Sequence, residues 1–190
     1  MKEAEKINGA GNPEKRKAHD FYPTPADVTY ALLDLLGPIL SQKTCFWECA
    51  CGEGDMVNAI FKRGYSVFGT DIAGGDGYDF LTCTPPEGVN WIITNPPFTS
   101  SEAFIRRAYS LGMPFAFLLK SQYWHAHSRY ALFNACKPDI IAPLTWRPDF
   151  RFKEDGKHGA SLMDVMWCVW LPSFLRTGMT QYIPLERKNR

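Results

Sequence analysis

A mostly parallel α/β fold, with helices on both faces of its sheet, is predicted by three observations. Short apolar runs at 44–48, 65–70, 91–94 and 115–119 alternate with segments whose apolar residues recur at helical spacing. A turn with two glycines, Gly52 and Gly54, follows the first of these runs and precedes a helical segment. The third run, Trp91-Ile92-Ile93-Thr94, stops at Asn95-Pro96-Pro97-Phe98, which delivers an amide and an aromatic ring to the carboxyl edge of a strand. In open α/β sheets that edge is where ligands bind.

Residues 1–18 are polar and rich in Gly, Asn, Lys and Glu without apolar periodicity, so they are expected to form a loosely attached basic and polar arm. One domain is expected over 19–180, followed by a polar tail at 181–190. Thr24, Pro25 and Asp27 have the spacing of a helix start, with the Thr24 hydroxyl as cap. Val28, Ala31, Leu32, Leu35, Leu36 and Ile39 then repeat at helical spacing until Gly37-Pro38 ends or kinks the helix.

The strand at 44–48 leads into Glu48-Cys49-Ala50-Cys51-Gly52-Glu53-Gly54, whose glycines let the backbone approach a ligand. A helix is expected over 55–63, and the strand after it ends at Asp71, about twenty residues beyond the glycine turn. That is the spacing at which an acid receives ribose hydroxyls. Neither a Gly-x-Gly-x-x-Gly turn nor a Gly-Lys-Ser/Thr phosphate loop is present, so the site suits a nucleoside without a pyrophosphate. Asp79 and Phe80 follow near the same edge. Asp79 is as consistent with capping a turn as with accepting from an adenine amino group.

The two prolines after Asn95 make a stiff turn that lacks two backbone donors. Asn95 Oδ1 and the Pro96 carbonyl are then placed to accept from one amino group, with Phe98 beneath its ring. Such an arrangement localises the lone pair of an aromatic amine for attack on a methyl-sulfonium. Ser100 or Ser101 caps a helix to Leu111, and further helix and strands are expected at 123–135, 140–144 and 163–171. The last strand is reached through an extended loop rather than a helix and is the candidate to run antiparallel.

That loop, 146–160, is basic and aromatic. It holds Trp146, Arg147, Phe150, Arg151, Phe152, Lys153, Lys157 and His158. Cations of this kind meet phosphates while aromatics contact an unstacked base; equally, the aromatics could pin a surface loop to the sheet.

Composition sets bounds on function. A 190-residue chain with 45% hydrophobic and 22% charged residues suits a globular protein with one core. The net charge of +1 excludes a globally basic protein but not a local nucleic-acid footprint. No apolar run is long enough to span a bilayer and no signal sequence is evident, so the six cysteines are expected as free thiols in a reducing cytoplasm. Cys49-x-Cys51 is poor metal spacing, and His125-x-His127 would diverge on a helix, so no metal is expected.

Taken in order, Glu48-x-Ala50-Cys51-Gly52-x-Gly54, Asp71, Asp79 and Asn95-Pro96-Pro97-Phe98 resemble the class I S-adenosylmethionine-dependent methyltransferases. Within them the chain is similar to the adenine-N(6) DNA methyltransferases. Asp20-Phe21-Tyr22-Pro23-Thr24-Pro25 and the compact length resemble the small phage-type enzymes. The resemblance implies a Rossmann-like, seven-stranded sheet in the family order 3-2-1-4-5-7-6, with strand seven antiparallel. It also implies transfer of a methyl group from S-adenosylmethionine, leaving S-adenosylhomocysteine, to the 6-amino group of a flipped-out adenine in DNA. The setting would be the cytoplasm of a bacterial or phage-infected cell.

By resemblance, Tyr22, Pro23 and Thr24 lie beside the methionine moiety of the cofactor, and Glu48, Ala50, Gly52 and Gly54 line its amino-acid and ribose portion. Asp71 takes the ribose hydroxyls, and Asp79 and Phe80 hold the adenine ring. Asn95, Pro96, Pro97 and Phe98 are then the catalytic motif. The same Asn motif occurs in glutamine methyltransferases acting on release factors and in some RNA methyltransferases, so RNA adenine and protein glutamine are the alternative substrates. A non-catalytic cofactor-binding module is the alternative of another class. A Pro-Cys nucleophile, needed for methylation at a cytosine carbon, is absent.

Overall fold

The structure is a computed structural model that describes residues 22–150 and 163–188. The arm at 1–18 and most of the loop after 150 fall outside the described residues. Seven strands form one sheet: β1 (Cys45–Glu48), β2 (Ser66–Gly69), β3 (Trp91–Thr94), β4 (Phe115–Lys120), β5 (Ile140–Pro143), β6 (Val165–Trp170) and β7 (Gln181–Tyr182). Their order is β2-β1-β3-β4-β6-β5-β7. Only β6 runs against the rest, pairing antiparallel with both β4 and β5. The mostly parallel sheet with one antiparallel strand is therefore as expected.

Its outer edges differ from the implied family order. The strand expected outside β2 is absent among the described residues. Between β2 and β3 the glycine-rich segment makes only short 3-10 turns, Ile72–Gly74 and Asp76–Tyr78. The seventh strand lies at the opposite edge, where residues expected as a polar tail pair in parallel with β5. Gln181, Ile183 and Leu185 donate their amides to the carbonyls of Asp139, Ile141 and Pro143, and Leu185 is buried. A two-residue strand is too short to leave a periodic signal in sequence.

Among the described residues, four α-helices accompany the sheet: α1 (Ala26–Leu36), α2 (Asp55–Lys62), α3 (Ser101–Ser110) and α4 (Tyr130–Ala135). Strand side chains alternate between two apolar layers. Phe46, Ile93, Leu118 and Trp167 face the layer that holds Val28, Leu32 and Leu36 of α1 and Ile60 of α2. Trp47, Ile92, Phe117 and Trp170 face the layer that holds Phe104, Ile105 and Ala108 of α3. Among the described residues, no helix is long and apolar enough to cross a membrane.

Three local expectations need correction. α1 begins at Ala26 with Pro25 at the cap position and no side-chain cap, so Thr24 lies one residue before the cap. Ser100 precedes α3 without capping it, while the Ser101 hydroxyl donates to the carbonyls of Pro97 and Phe98. The helix expected over 123–135 is broken into two 3-10 turns and α4, with Ala126 extended at φ −104° and ψ 122°. Tertiary contacts favour the break. Trp124 stacks on Phe133 with ring centroids 3.9 Å apart, and the Arg129 guanidinium folds back over the Tyr123 ring.

Candidate active site

The carboxyl ends of β1, β2 and β3 stop side by side, and each is followed by a polar group. β1 ends in Glu48, β2 leads through Thr70 to Asp71, and β3 leads to Asn95. The turn after β1 is held by those acids. Gly52 donates its amide to Asp71 Oδ2 at 2.9 Å, and Ala50 donates its amide to Glu48 Oε1 at 3.2 Å. Asp71 Oδ1 also accepts from the Ala73 amide. Gly52 and Gly54 have φ of +50° and +86°, which a side chain would make costly. A Cβ at Gly54 would meet nothing within 4 Å, so backbone conformation rather than crowding requires that glycine.

A cleft opens between this turn and the segment before α1. It is lined by Tyr22, Pro23, Thr24, Glu48, Ala50, Asp71, Asn95 and Pro97 from the expected set, and by Cys51, Asp55 and Met56, which were not anticipated. The empty space of the cleft, including its opening to solvent, is about 470 Å³. Cys51, Asp55 and Met56 sit in or just after the glycine turn, and their proximity to it was the available signal.

The acids at the rim are not equivalent. Glu48 is buried, and that burial pushes its carboxyl up to about 7, with the Asp71 charge adding to the rise and the Ala50 amide and Thr94 hydroxyl opposing it. Burial likewise pushes the Cys51 thiol up to about 11, with the Glu48 and Asp71 charges adding to the rise, which favours its neutral form.

Asn95 is held from the N-terminal side. Its Nδ2 donates to the Tyr22 carbonyl at 3.2 Å and to Thr24 Oγ1 at 3.1 Å, whereas its Oδ1 is buried without a hydrogen-bond partner. The turn beyond it is closed by Ser100, whose amide donates to the Pro97 carbonyl at 2.9 Å. Phe98 is half-buried, with its ring 5.2 Å from that of Tyr22. The Lys120 ammonium, from the end of β4, sits 4.2 Å from the Phe98 ring centroid. Lys120 closes an apolar run, and nothing in the sequence linked it to the site.

Other expected residues fall outside the cleft lining. Asp79 Oδ1 accepts from the Leu81 amide at 3.0 Å, as a turn-capping Asp does. Phe80 is buried against Trp47 and Phe104, at 5.1 and 4.9 Å between centroids. Trp146 packs partly buried against the core, and exposed Arg147 pairs with Asp164 at 2.9 Å. Phe150 is fully buried, edge-on to Tyr22 at 6.4 Å, so the long connection leaves the sheet beside the cleft. Arg151, Lys153 and Lys157 lie outside the described residues. No group of three or more metal-ligating side chains occurs among the described residues.

No protein-family model matches the sequence, and no curated protein matches it. Solved structures do. A protein from Listeria monocytogenes described as a class I S-adenosylmethionine-dependent methyltransferase superposes with a TM-score of 0.56 at 11% identity, covering 96% of this chain and 71% of its own. A protein from Pyrococcus horikoshii described as an RNA methyltransferase gives 0.56 at 14% identity, covering 89% of this chain and 98% of its own. A type I restriction enzyme modification subunit from Vibrio vulnificus gives 0.53 at 12% identity over 86% of this chain, which spans 47% of that subunit. At such identities the likeness concerns architecture, and the architecture is that of the class I methyltransferases.

Proposed function

We propose that the protein transfers a methyl group from S-adenosylmethionine to the 6-amino group of an adenine in DNA, with the target base flipped out of the duplex. The observation that carries this reading is the buried Asn95 Oδ1, an acceptor left without a donor at the strand edge. An unmet acceptor of this kind costs about 1–3 kcal/mol, which an amino group entering the site would relieve.

The cleft also fits the cofactor's chemistry. Glu48, Asp55 and Asp71 line it with carboxyl groups, and S-adenosylmethionine is a cation that carries no phosphate. Bound there, it would supply an electrophilic methyl group and leave as S-adenosylhomocysteine. Tyr22, Pro23, Thr24, Glu48, Ala50, Gly52 and Gly54 would hold its amino-acid and ribose portion. Asp71 would take the ribose hydroxyls, and Asp79 would take the adenine amino group through the carboxylate oxygen that Leu81 does not use. Phe80 would support that edge from the core side.

On the substrate side, Asn95 Oδ1 and the Pro96 carbonyl would accept from the target amine and turn its lone pair toward the methyl group, while Pro97 keeps the turn stiff. The Phe98 ring would stack on the base. Positioning and orientation supply the rate, without a covalent enzyme intermediate. Base extrusion is required because the amine is inaccessible within the stack. Lys120 beside Phe98 favours a phosphate-bearing substrate, and Trp146, Arg147, Arg151, Lys153 and Lys157 of the long connection would supply further contacts to it. The modification subunit among the structural neighbours points the same way.

Labelled cofactor, offered with separate DNA, RNA and protein pools, tests the reading. Label recovered as N(6)-methyladenine from DNA is expected. Label in RNA adenine or protein glutamine would move the substrate, and tight cofactor binding without transfer to any pool would make the protein a binding module.

A further inference from the structure

The Asn95 amide has a symmetric outline. A half-turn about its last bond exchanges the acceptor Oδ1 for the donor Nδ2 at almost no steric cost. Acceptance from a target amine works in one orientation only, so the site needs something that forbids the other. The Tyr22 carbonyl can only accept, so its 3.2 Å contact with Asn95 is satisfied by Nδ2 alone. The Thr24 hydroxyl receives the same nitrogen at 3.1 Å.

Thr24 is 5% exposed and stands just before α1, one residue ahead of the cap position that Pro25 takes. Its hydroxyl reaches a residue 71 positions away, Asn95, whose Oδ1 is buried without a hydrogen-bond partner.

We infer that Thr24 is a positioning residue which, with the Tyr22 carbonyl, locks the Asn95 amide so that Oδ1 rather than Nδ2 faces the incoming amine. This deepens the methyltransferase reading and rests on it. The lock also makes the amine-accepting group depend on docking of segment 22–24, which lines the cleft on the cofactor side. A segment displaced from the cleft frees the amide to turn, so the two sides of the site are completed together.

Thr24→Val preserves the shape of the side chain and removes the hydroxyl. In the full chain it should lower kcat by about 100-fold through misorientation of the amide. The loss should persist at saturating S-adenosylmethionine, whatever change in cofactor affinity calorimetry records, with KM for DNA near wild type, and Thr24→Ser, which returns the hydroxyl, should recover most of the turnover. A second readout follows the side-chain amide of Asn95 by nitrogen-15 NMR. Its protons should exchange slowly in the wild type and faster in Thr24→Val. Wild-type kcat in folded Thr24→Val overturns the inference, as does a loss of cofactor affinity that accounts for the whole defect. If Thr24→Val does not fold, a freely rotating, fast-exchanging Asn95 amide in the wild type overturns it. Failure of the wild type to methylate any pool would sink the functional reading alone, and the amide signal would still decide the lock.

Discussion

The half of the sheet made by β2, β1 and β3 and the half made by β4, β6 and β5 differ in length, direction and burden. β1, β2 and β3 are four residues each, parallel, and stop at the rim with Glu48, Asp71 and Asn95 just beyond or at their ends. β4 and β6 pair antiparallel over six residues each, and every residue of β6 is buried. There the Phe115 and Trp170 rings stack at 4.2 Å, and the two indoles are satisfied in the core, Trp167 by the Val28 carbonyl and Trp170 by the Cys136 carbonyl. The long half is a platform and the short half ends in a polar rim. A strand that stops early leaves polar groups at an edge a ligand can reach, while a strand paired and covered on both faces holds its neighbour in register. Lys120 joins the halves, because the platform's own strand carries its ammonium to Phe98.

If that division is right, platform lesions should appear in folding and rim lesions in chemistry. Trp170→Ala should have the largest effect on stability, about 3–5 kcal/mol, from a large cavity and a stranded Cys136 carbonyl. Denaturant unfolding measures it, and a loss under 1 kcal/mol would mean that the platform is not stiff. Asn95→Ala should reduce kcat by about 10²–10³ or more with cofactor affinity and unfolding midpoint nearly unchanged. A correctly folded variant with parental turnover would remove Asn95 from the mechanism.

Glu48 sharpens the comparison, because it is a rim residue with a core residue's burial. Its carboxyl is raised from an unfolded value near 4.5 to about 7. Between those values the folded protein binds a proton that the unfolded chain has lost, so this group's contribution to stability falls as pH rises through the window. The loss amounts to roughly 3 kcal/mol. Glu48→Gln keeps an acceptor for the Ala50 amide without an ionisation. It should match the wild type near the acidic end and exceed it above neutrality, and parallel stability-against-pH curves would contradict the assignment. Asp71→Ala should be smallest, weakening cofactor binding by about 1–3 kcal/mol as the ribose acceptor and the Gly52 anchor are lost. Unchanged affinity by calorimetry would exclude Asp71 from the site.

Sequence alone was enough for the alternation of strands and helices, the glycine turn, and the ordered acids and amide, because these depend on local periodicity and backbone chemistry. The family resemblance implied one site holding Tyr22, Thr24, Glu48, Asp71 and Asn95, and in the structure these five line one cleft, which leaves their roles to experiment. The partners of individual polar groups were decided only by the tertiary structure. Thr24 lies one residue before the cap of α1, and only the arrival of Asn95 from 71 residues away gives its hydroxyl this partner. Lys120 looks like the end of a buried strand until the fold lays it over Phe98. The break at Ala126 depends on Trp124 finding Phe133, and β7 depends on backbone groups of β5 left open at an edge. Periodicity records which face a residue presents, but a hydrogen bond or ring contact between distant segments is chosen by the geometry that brings them together.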